Sequence, residues 1–555
     1  MISVRNTDEL ARIRALPRRT IDRETAEQWA VEDTPLYALT PDVALRPWQA
    51  AALREAQACG GAWLALPVGT GKTLISRLLP SAMQSKRTLL IVPASLKAKT
   101  YADFTAYFGA WKLPPCPLVV ESRERLATTA SARYLEQLKP DLIVIDEADD
   151  LANPRSSVAR RIDRYVRSHD VRVVAMSGTP ARKSILNYWH LLAWCLGDNA
   201  PIPLVHEEAV TWSLALDDRA GGPGALPGAL GSSRRAARAW YRSRLVSTPG
   251  VLVVDEDSCS APLTVRVRLA REDDVLDAAF ERFLTLQESP GGIPVSDPLS
   301  CWLLDAQLGL GLYSIWNPAP PEEWRAARRA VAAFVRERID ASTRSLDPLD
   351  TEAQVLRRYA DHPIVREWLR VKPTFDGSTE THWISRSTLD SVHDWLRELG
   401  DTPGIVWCGS VAFGEALAKE AGLAYYGQKG ATKAGAALHH APTERSLVAS
   451  WNANKKGFNL QAWSRQLVVM PPQSAKWYEQ IFGRSHRSGQ HDHVVVDVLA
   501  TSGGTLDTFE AAMREARMVR DTVALTQKVL RAEVVRAKPR RTTTNEFRWA
   551  RKGSQ

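Results

Sequence analysis

The chain has 555 residues, a formal net charge of +9, 45% apolar residues and 24% charged residues. That length predicts roughly three or four domains, and the composition excludes a wholly disordered, collagen-like or disulfide-stapled protein. No run approaches the ~18 uninterrupted apolar residues of a membrane span. The first 23 residues lack the apolar core of a signal peptide. Six scattered cysteines without a CxxC pair argue against a zinc module and fit a reducing cytoplasm.

In chain order, residues 1–44 read as a lead segment. Next come short β-rich runs at Ala62–Leu66, Thr88–Val92, Leu118–Glu121, Leu142–Ile145 and Val171–Met176. Alternating with helical patterns, they predict a parallel sheet buried on both faces. Gly221–Ser233 (GGPGALPGALGSS) predicts a flexible loop near 217–233. An extended segment, Ala261–Leu269, closes this first lobe, 45–270. Over 271–375 the patterns Asp274–Leu286, Leu299–Tyr313 and Glu322–Ile339 predict helices, the last behind Pro320-Pro321. The aromatic residues of this insert (Trp302, Tyr313, Trp316 and Trp324) read as core. Strand patterns at Thr381–Ile384, Gly404–Trp407, Leu447–Ser450, Gln466–Val469 and Val494–Leu499 predict a second lobe, 376–527. The fold class is therefore α/β: two parallel-sheet lobes with a mainly helical insert between them. Residues 528–555 hold nine Lys/Arg against two Glu, and so most of the net charge. They predict a basic, mobile tail, either a solvated terminus or an arm that tracks phosphates.

Two segments carry chemistry. Leu66-Pro67-Val68-Gly69-Thr70-Gly71-Lys72-Thr73 follows a strand and opens a helix. Glycines 69 and 71 let the backbone N–H groups around Thr70 curl about a polyphosphate, and the helix N-terminus adds partial positive charge. Lys72 can reach the terminal phosphates, and the Thr73 hydroxyl can ligate Mg²⁺. The usual pattern begins with Gly where this chain has Leu66. The second segment is Leu142-Ile143-Val144-Ile145-Asp146-Glu147-Ala148-Asp149, where an apolar strand ends in two acids. Ligands of open parallel sheets bind at such strand ends. Asp146 would hold Mg²⁺ opposite Thr73, and Glu147 would orient and deprotonate a water.

Six further stretches complete a resemblance. They are Leu45-Arg46-Pro47-Trp48-Gln49, Val92-Pro93-Ala94-Ser95-Leu96, Ser177-Gly178-Thr179-Pro180, Lys456-Gly457-Phe458-Asn459-Leu460-Gln461, Gln480-Ile481-Phe482-Gly483-Arg484 and Ser485-His486-Arg487-Ser488-Gly489-Gln490. In this order the chain resembles a superfamily-two helicase/translocase, most of all the Swi/Snf-type branch in the compact form of phage-encoded helicases. DEAD at 146–149 replaces the DEAH usual in that branch. The resemblance implies two RecA-like lobes, ATP and Mg²⁺ in the cleft between them, and a nucleic-acid-stimulated ATPase. Gln49 would read the adenine edge, and Gly457 would lie at the nucleotide. Pro93, Ser95, Asn459 and Gln461 would serve nucleic-acid contact, with Ser177 and Thr179 coupling it to the nucleotide state. Arg487 would be the main arginine finger, Arg484 its partner on the same helix face, and Gln480 would position the water or γ-phosphate. The implied partner is DNA, gripped by its backbone without sequence preference. RNA remains possible, no membrane is involved, and the implied location is the cytoplasm, the host's if the chain is phage-encoded. The alternatives are an RNA-dependent ATPase, a DNA clamp without turnover and a nuclease fused to a motor. The intact Lys72, Thr73, Asp146, Glu147, Arg484 and Arg487 speak against the clamp. His439-His440 and His491/His493 lack cysteine partners and read as solvated loops, and no nuclease-like cluster accompanies them.

Overall fold

The computed structural model describes residues 7–218, 230–231, 233–257, 259–295, 297–343, 345, 347–454 and 459–536. The chain divides into two units. The first comprises Met1–Ser258, Arg329–Glu367 and Glu515–Gln527; the second comprises Cys259–Arg328, Trp368–Arg514 and Lys528–Gln555.

The first unit is built on β1 (Ala62–Ala65), β2 (Thr88–Val92), β3 (Leu118–Ser122), β4 (Leu142–Asp146), β5 (Arg172–Ser177) and β6 (Val251–Val253). They form a parallel sheet in the order β3-β2-β4-β5-β1-β6. The strands read as continuous apolar runs because successive side chains enter opposite, equally covered faces. Trp63, Ala65, Leu89, Ile91, Ile143 and Ile145 join one core. Ala62, Leu64, Leu90, Val92, Leu142 and Val144 join the other. Each buried Leu, Ile or Val contributes about 1.5–3 kcal/mol relative to exposure. The lead segment belongs to these cores. The helix Asp8–Ala15, capped by the Thr7 hydroxyl, places Leu10 and Ile13 in the first, and Arg23–Tyr37 places Ala26, Ala30 and Tyr37 in the second.

The second unit begins with β7 (Leu263–Leu269). The sequence assigned this segment to the first lobe. It pairs instead along seven residues with β14, introduced below, from Leu263↔Val494 to Leu269↔Ala500. An antiparallel ribbon follows, made of β8 (Leu312–Asn317) and β9 (Ser378–Trp383). This corrects two expectations. The predicted helix Leu299–Tyr313 stops at Leu308, capped by Gly309, and Gly311 at φ +77° turns the chain out of helical backbone; beyond it, aromatic and β-branched residues favour strand. Thr381–Ile384, expected in the parallel sheet, supplies β9 because β8 offers it a free edge.

The remaining strands are β10 (Gly404–Cys408), β11 (Ala424–Tyr426), β12 (Leu447–Ser450), β13 (Arg465–Val468), β14 (Val494–Ala500) and β15 (Glu533–Arg536). With β7 they form a parallel sheet in the order β11-β12-β10-β13-β14-β7-β15. Asp497 on β14 is buried, accepts two bonds from its register partner Arg266 (2.9 and 2.8 Å) and one from Trp395 Nε1 (2.8 Å). Strand β15 lies within the predicted mobile tail; it is ordered by pairing with β7 from Glu533↔Thr264 to Arg536↔Val267. The stretch 271–375 is no body of its own, since 329–367 groups with the first unit and the rest with the second. The glycine-rich loop at 219–229 and the tail beyond 536 lie outside the described residues.

Candidate nucleotide-binding site

In the first unit every strand of the sheet runs the same way, so the segments following β1, β4 and β5 leave one edge of it. That edge is where open parallel sheets bind ligands.

After β1, the Leu66 amide donates to the Ser177 carbonyl (3.0 Å), which ties the loop to the end of β5. Gly69 and Gly71 take φ +95° and +83°, a region that costs glycine little. Gly71 caps the helix Lys72–Ala82, and a Cβ on it would overlap the Gln49 carboxamide. Gln49 is buried. Its Oε1 accepts from the Arg46 amide (2.9 Å), and its Nε2 donates to the Thr70 carbonyl (3.0 Å). Arg46 Nη1 donates to the Gly69 carbonyl (2.8 Å). Gln49 therefore braces the loop in this structure, where the resemblance had it reading an adenine edge. Arg46 as a second brace was not foreseen; its place three residues before Gln49 was the available signal. Lys72 Nζ donates to the carbonyls of Leu66 (3.0 Å) and Pro67 (3.2 Å). The Thr73 hydroxyl is half-buried and makes no hydrogen bond among the described residues.

At the end of β4, Asp146 Oδ1 accepts from the Glu147 amide (3.0 Å). Glu147 takes φ 52°, ψ 47°, a left-handed conformation costing a non-glycine residue about 1–2 kcal/mol of the kind that clusters at functional sites. Its carboxylate is half-buried and makes no hydrogen bond or ion pair among the described residues. Asp149, in contrast, is 1% exposed. It accepts from the Ser177 hydroxyl (2.6 Å) and the Thr179 hydroxyl (3.2 Å), and Arg182 donates to its carbonyl (3.0 Å). Ser177 and Thr179 are themselves buried, so they link segments rather than touch nucleic acid. Between them, Gly178 approaches the glycine loop: a Cβ there would lie 3.3 Å from the Leu66 carbonyl and 3.6 Å from Lys72 Nζ. One chain of hydrogen bonds thus joins the loop lysine, through Leu66, to the end of β5 and to Asp149. Asp149 as its hub was missed, because a fourth letter of a strand-end acidic run does not announce burial. Just beyond, His190 Nε2 donates to the Leu151 carbonyl (2.8 Å), and burial holds its pKa down at about 4. After β2, Pro93 is buried, and Ser95 is exposed on the first turn of the helix Ala94–Ala106, whose first amide donates to Glu124 (2.8 Å).

The other predicted residues belong to the second unit. Gly457 lies outside the described residues. Asn459 is exposed. The helix Ala475–Ser485 carries Gln480 and Arg484 and ends with His486 as its cap. Arg487 is therefore outside the helix and shares no helix face with Arg484, contrary to expectation. The helix ends there because the Ser485 hydroxyl donates to the Leu460 carbonyl (2.9 Å), His486 is bonded through both ring nitrogens, and Gly489 turns the chain at φ +89°. Gln461 Nε2 donates to the Ser488 carbonyl (2.8 Å), and Gln490 Nε2 to the Gln461 carbonyl (2.8 Å). Gln461 therefore holds the turn rather than reaching outward. Arg484 is buried with Nε on the Gln480 carbonyl (2.9 Å). The Gln480 side chain is 3% exposed, and neither amide atom has a partner among the described residues. The Arg487 guanidinium is half-buried, makes no hydrogen bond or ion pair among the described residues, and burial lowers its pKa. An unpaired, partly desolvated guanidinium is suited to receive an anion.

The donor set fits a nucleotide with Mg²⁺. Gly69 and Gly71 hold the loop in a positive-φ backbone that a side chain would strain. Among the described residues, no group of three or more His, Cys, Asp or Glu is placed to hold a metal by itself. Thr73 and Asp146 would supply one hydroxyl and one carboxylate, the sparse protein set of a metal that takes its other ligands from phosphate and water. Among the described residues no helix is long and apolar enough to cross a membrane.

No family model matches the chain, and no curated protein sequence matches it. Among solved structures, it is similar to the Sulfolobus solfataricus SWI2/SNF2 ATPase core in complex with dsDNA, at 14% identity, covering 87% of this chain and 98% of that one, with a TM-score of 0.32. Similarity at this level carries no weight for activity or substrate.

Proposed function

We propose that this chain is an ATP-hydrolysing DNA motor that couples nucleotide turnover to movement along DNA, duplex DNA in particular. The observation that carries the reading is the chain of hydrogen bonds from Lys72 through Leu66, whose amide donates to the Ser177 carbonyl, to the buried Ser177, Thr179 and Asp149. It gives the phosphate-binding loop a rigid connection to the ends of two neighbouring strands, which a passive nucleotide store does not require.

The amides around Gly69, Thr70 and Gly71, with Lys72, would cradle the phosphates of ATP. Occupation of the loop would draw Lys72 Nζ off the Leu66 and Pro67 carbonyls, beside Gly178, where an added Cβ would stand 3.6 Å from that ammonium. Thr73 and Asp146 would hold Mg²⁺, which when bound offsets the charge on the phosphate oxygens. Glu147, without a partner among the described residues and set by its left-handed backbone, would take the proton of the attacking water. Arg487 would meet the terminal phosphate, with Arg484 behind it; such a guanidinium is worth roughly 10³–10⁵ in rate. Ser95 and Asn459, both exposed, would contact nucleic-acid phosphates, which give grip without sequence preference.

The test is ATPase activity measured in parallel with duplex DNA, single-stranded DNA and RNA, for wild type and Lys72→Ala. Duplex DNA is expected to stimulate turnover most, and Lys72→Ala to abolish it. Stimulation by RNA alone would make the chain an RNA-dependent ATPase, and absence of hydrolysis under all conditions would leave the clamp reading.

A further inference from the structure

The structure assigns Lys528 a positioning role for Arg487, exerted through the imidazole of His486; this rests on the reading of Arg487 given above. Lys528 Nζ lies 3.0 Å from His486 Nδ1, and His486 Nε2 lies 2.7 Å from the Ala261 carbonyl oxygen. An ammonium only donates, so Nδ1 is the acceptor. A carbonyl only accepts, so Nε2 carries the proton. Two partners from distant parts of the chain thus demand the same neutral tautomer. His486 is 2% exposed and Lys528 4%, so water does not compete for either bond. The Lys528 amide also donates to Glu479 Oε2 (2.6 Å), which docks the short helix Lys528–Arg531 on the helix that carries Gln480 and Arg484.

Arg487 follows His486 directly, and its guanidinium makes no bond among the described residues that would aim it. Its direction is therefore set by backbone anchors on either side. On one side Gln461 and Gln490 hold 488–490. On the other, the ring of His486, fixed at both nitrogens, holds 486. Removing the Lys528 ammonium takes the donor from Nδ1 while the Ala261 carbonyl still holds Nε2–H, and so loosens one of the two anchors. A misplacement of about 1 Å at a reacting group costs up to roughly a hundredfold in rate. The segment that supplies Lys528 reads in sequence as the start of a basic, mobile tail, so nothing in composition points to this contact.

The tautomer is read directly by ¹⁵N-histidine NMR on the full-length chain, with the His486 signal assigned by its loss in His486→Gln. The expected wild-type result is an unprotonated Nδ1 and a protonated Nε2. Lys528→Met is expected to shift the Nδ1 resonance by removing its donor and to lower kcat by roughly tenfold to a hundredfold, with the KM for ATP unchanged; Lys528→Arg, which restores a donor, should recover part of the loss. A wild-type proton on Nδ1, or Lys528→Met with unchanged Nδ1 resonance and turnover, overturns the assignment, and the wild-type spectrum stands even if Lys528→Met does not fold. Wild-type turnover in Arg487→Ala, with the tautomer as expected, would instead locate the failure in the catalytic reading of Arg487.

Discussion

Asp149 and Glu147 stand two residues apart after one strand, yet their surroundings predict opposite consequences of losing them. Asp149 accepts two buried hydroxyl protons, from Ser177 (2.6 Å) and Thr179 (3.2 Å). Hydrogen bonds to a charged group contribute about 1.5–3 kcal/mol each, so Asp149→Ala should lower the stability of the first unit by roughly 3–6 kcal/mol. Asp149→Asn keeps the shape and one acceptor oxygen, and a hydroxyl can turn to accept from the new amide, so its cost should be about 1–2 kcal/mol. Glu147→Gln removes a charge that has no partner among the described residues. It should leave stability within about 0.5 kcal/mol of wild type while lowering ATP turnover roughly 10²–10⁴-fold, the usual contribution of a general base. Urea unfolding monitored on first-unit signals, alongside ATPase turnover, separates the two effects. The reasoning fails if Asp149→Ala unfolds with the wild-type midpoint, or if Glu147→Gln is destabilised as much as Asp149→Ala.

Three other outcomes are expected. Arg487→Ala should bind a fluorescent ATP analogue normally but hydrolyse ATP about 10³–10⁵-fold more slowly; turnover near wild type would remove Arg487 from the chemistry. Deleting residues 537–555, which hold six Lys/Arg and one Glu, should weaken DNA binding and reduce the log–log salt slope by roughly 4. An unchanged slope in fluorescence anisotropy would return those residues to the role of a solvated terminus. His190 has its folded pKa lowered to about 4 from 6.5, so from about pH 6.5 down to 4 the unfolded chain gains a proton that the folded chain does not. Its contribution is complete above about pH 6.5 and is lost as pH falls, by about 3 kcal/mol at most. Asp217 and Asp305, raised by burial to about 7, act in the opposite direction in both proteins and cancel when wild type is compared with His190→Gln. Parallel stability–pH curves for the two would refute the assignment.

Which runs become buried parallel strands was legible from the sequence, because a strand covered on both faces must be apolar at every position, as Leu142–Ile145 is. The glycine loop at 69–71 and the acids after β4 were legible for a related reason: backbone curvature and strand-end chemistry are local properties. Sheet membership was not local. Leu263–Leu269 has the same character whichever sheet it joins, and only the free edge of β14 placed it in the second; β15 was ordered by the edge β7 then offered. The same distinction runs through the site. Residue type singled out Lys72, Glu147 and Arg487 as candidates, but only packing made Asp149 a buried hub, turned Gln49 onto the Thr70 carbonyl, ended the helix before Arg487 and set Lys528 against His486. Those bonds join residues from about 20 to more than 200 positions apart, except the helix end, which is itself held by such bonds. A spacing pattern in the chain carries no information about contacts that chain folding alone brings together.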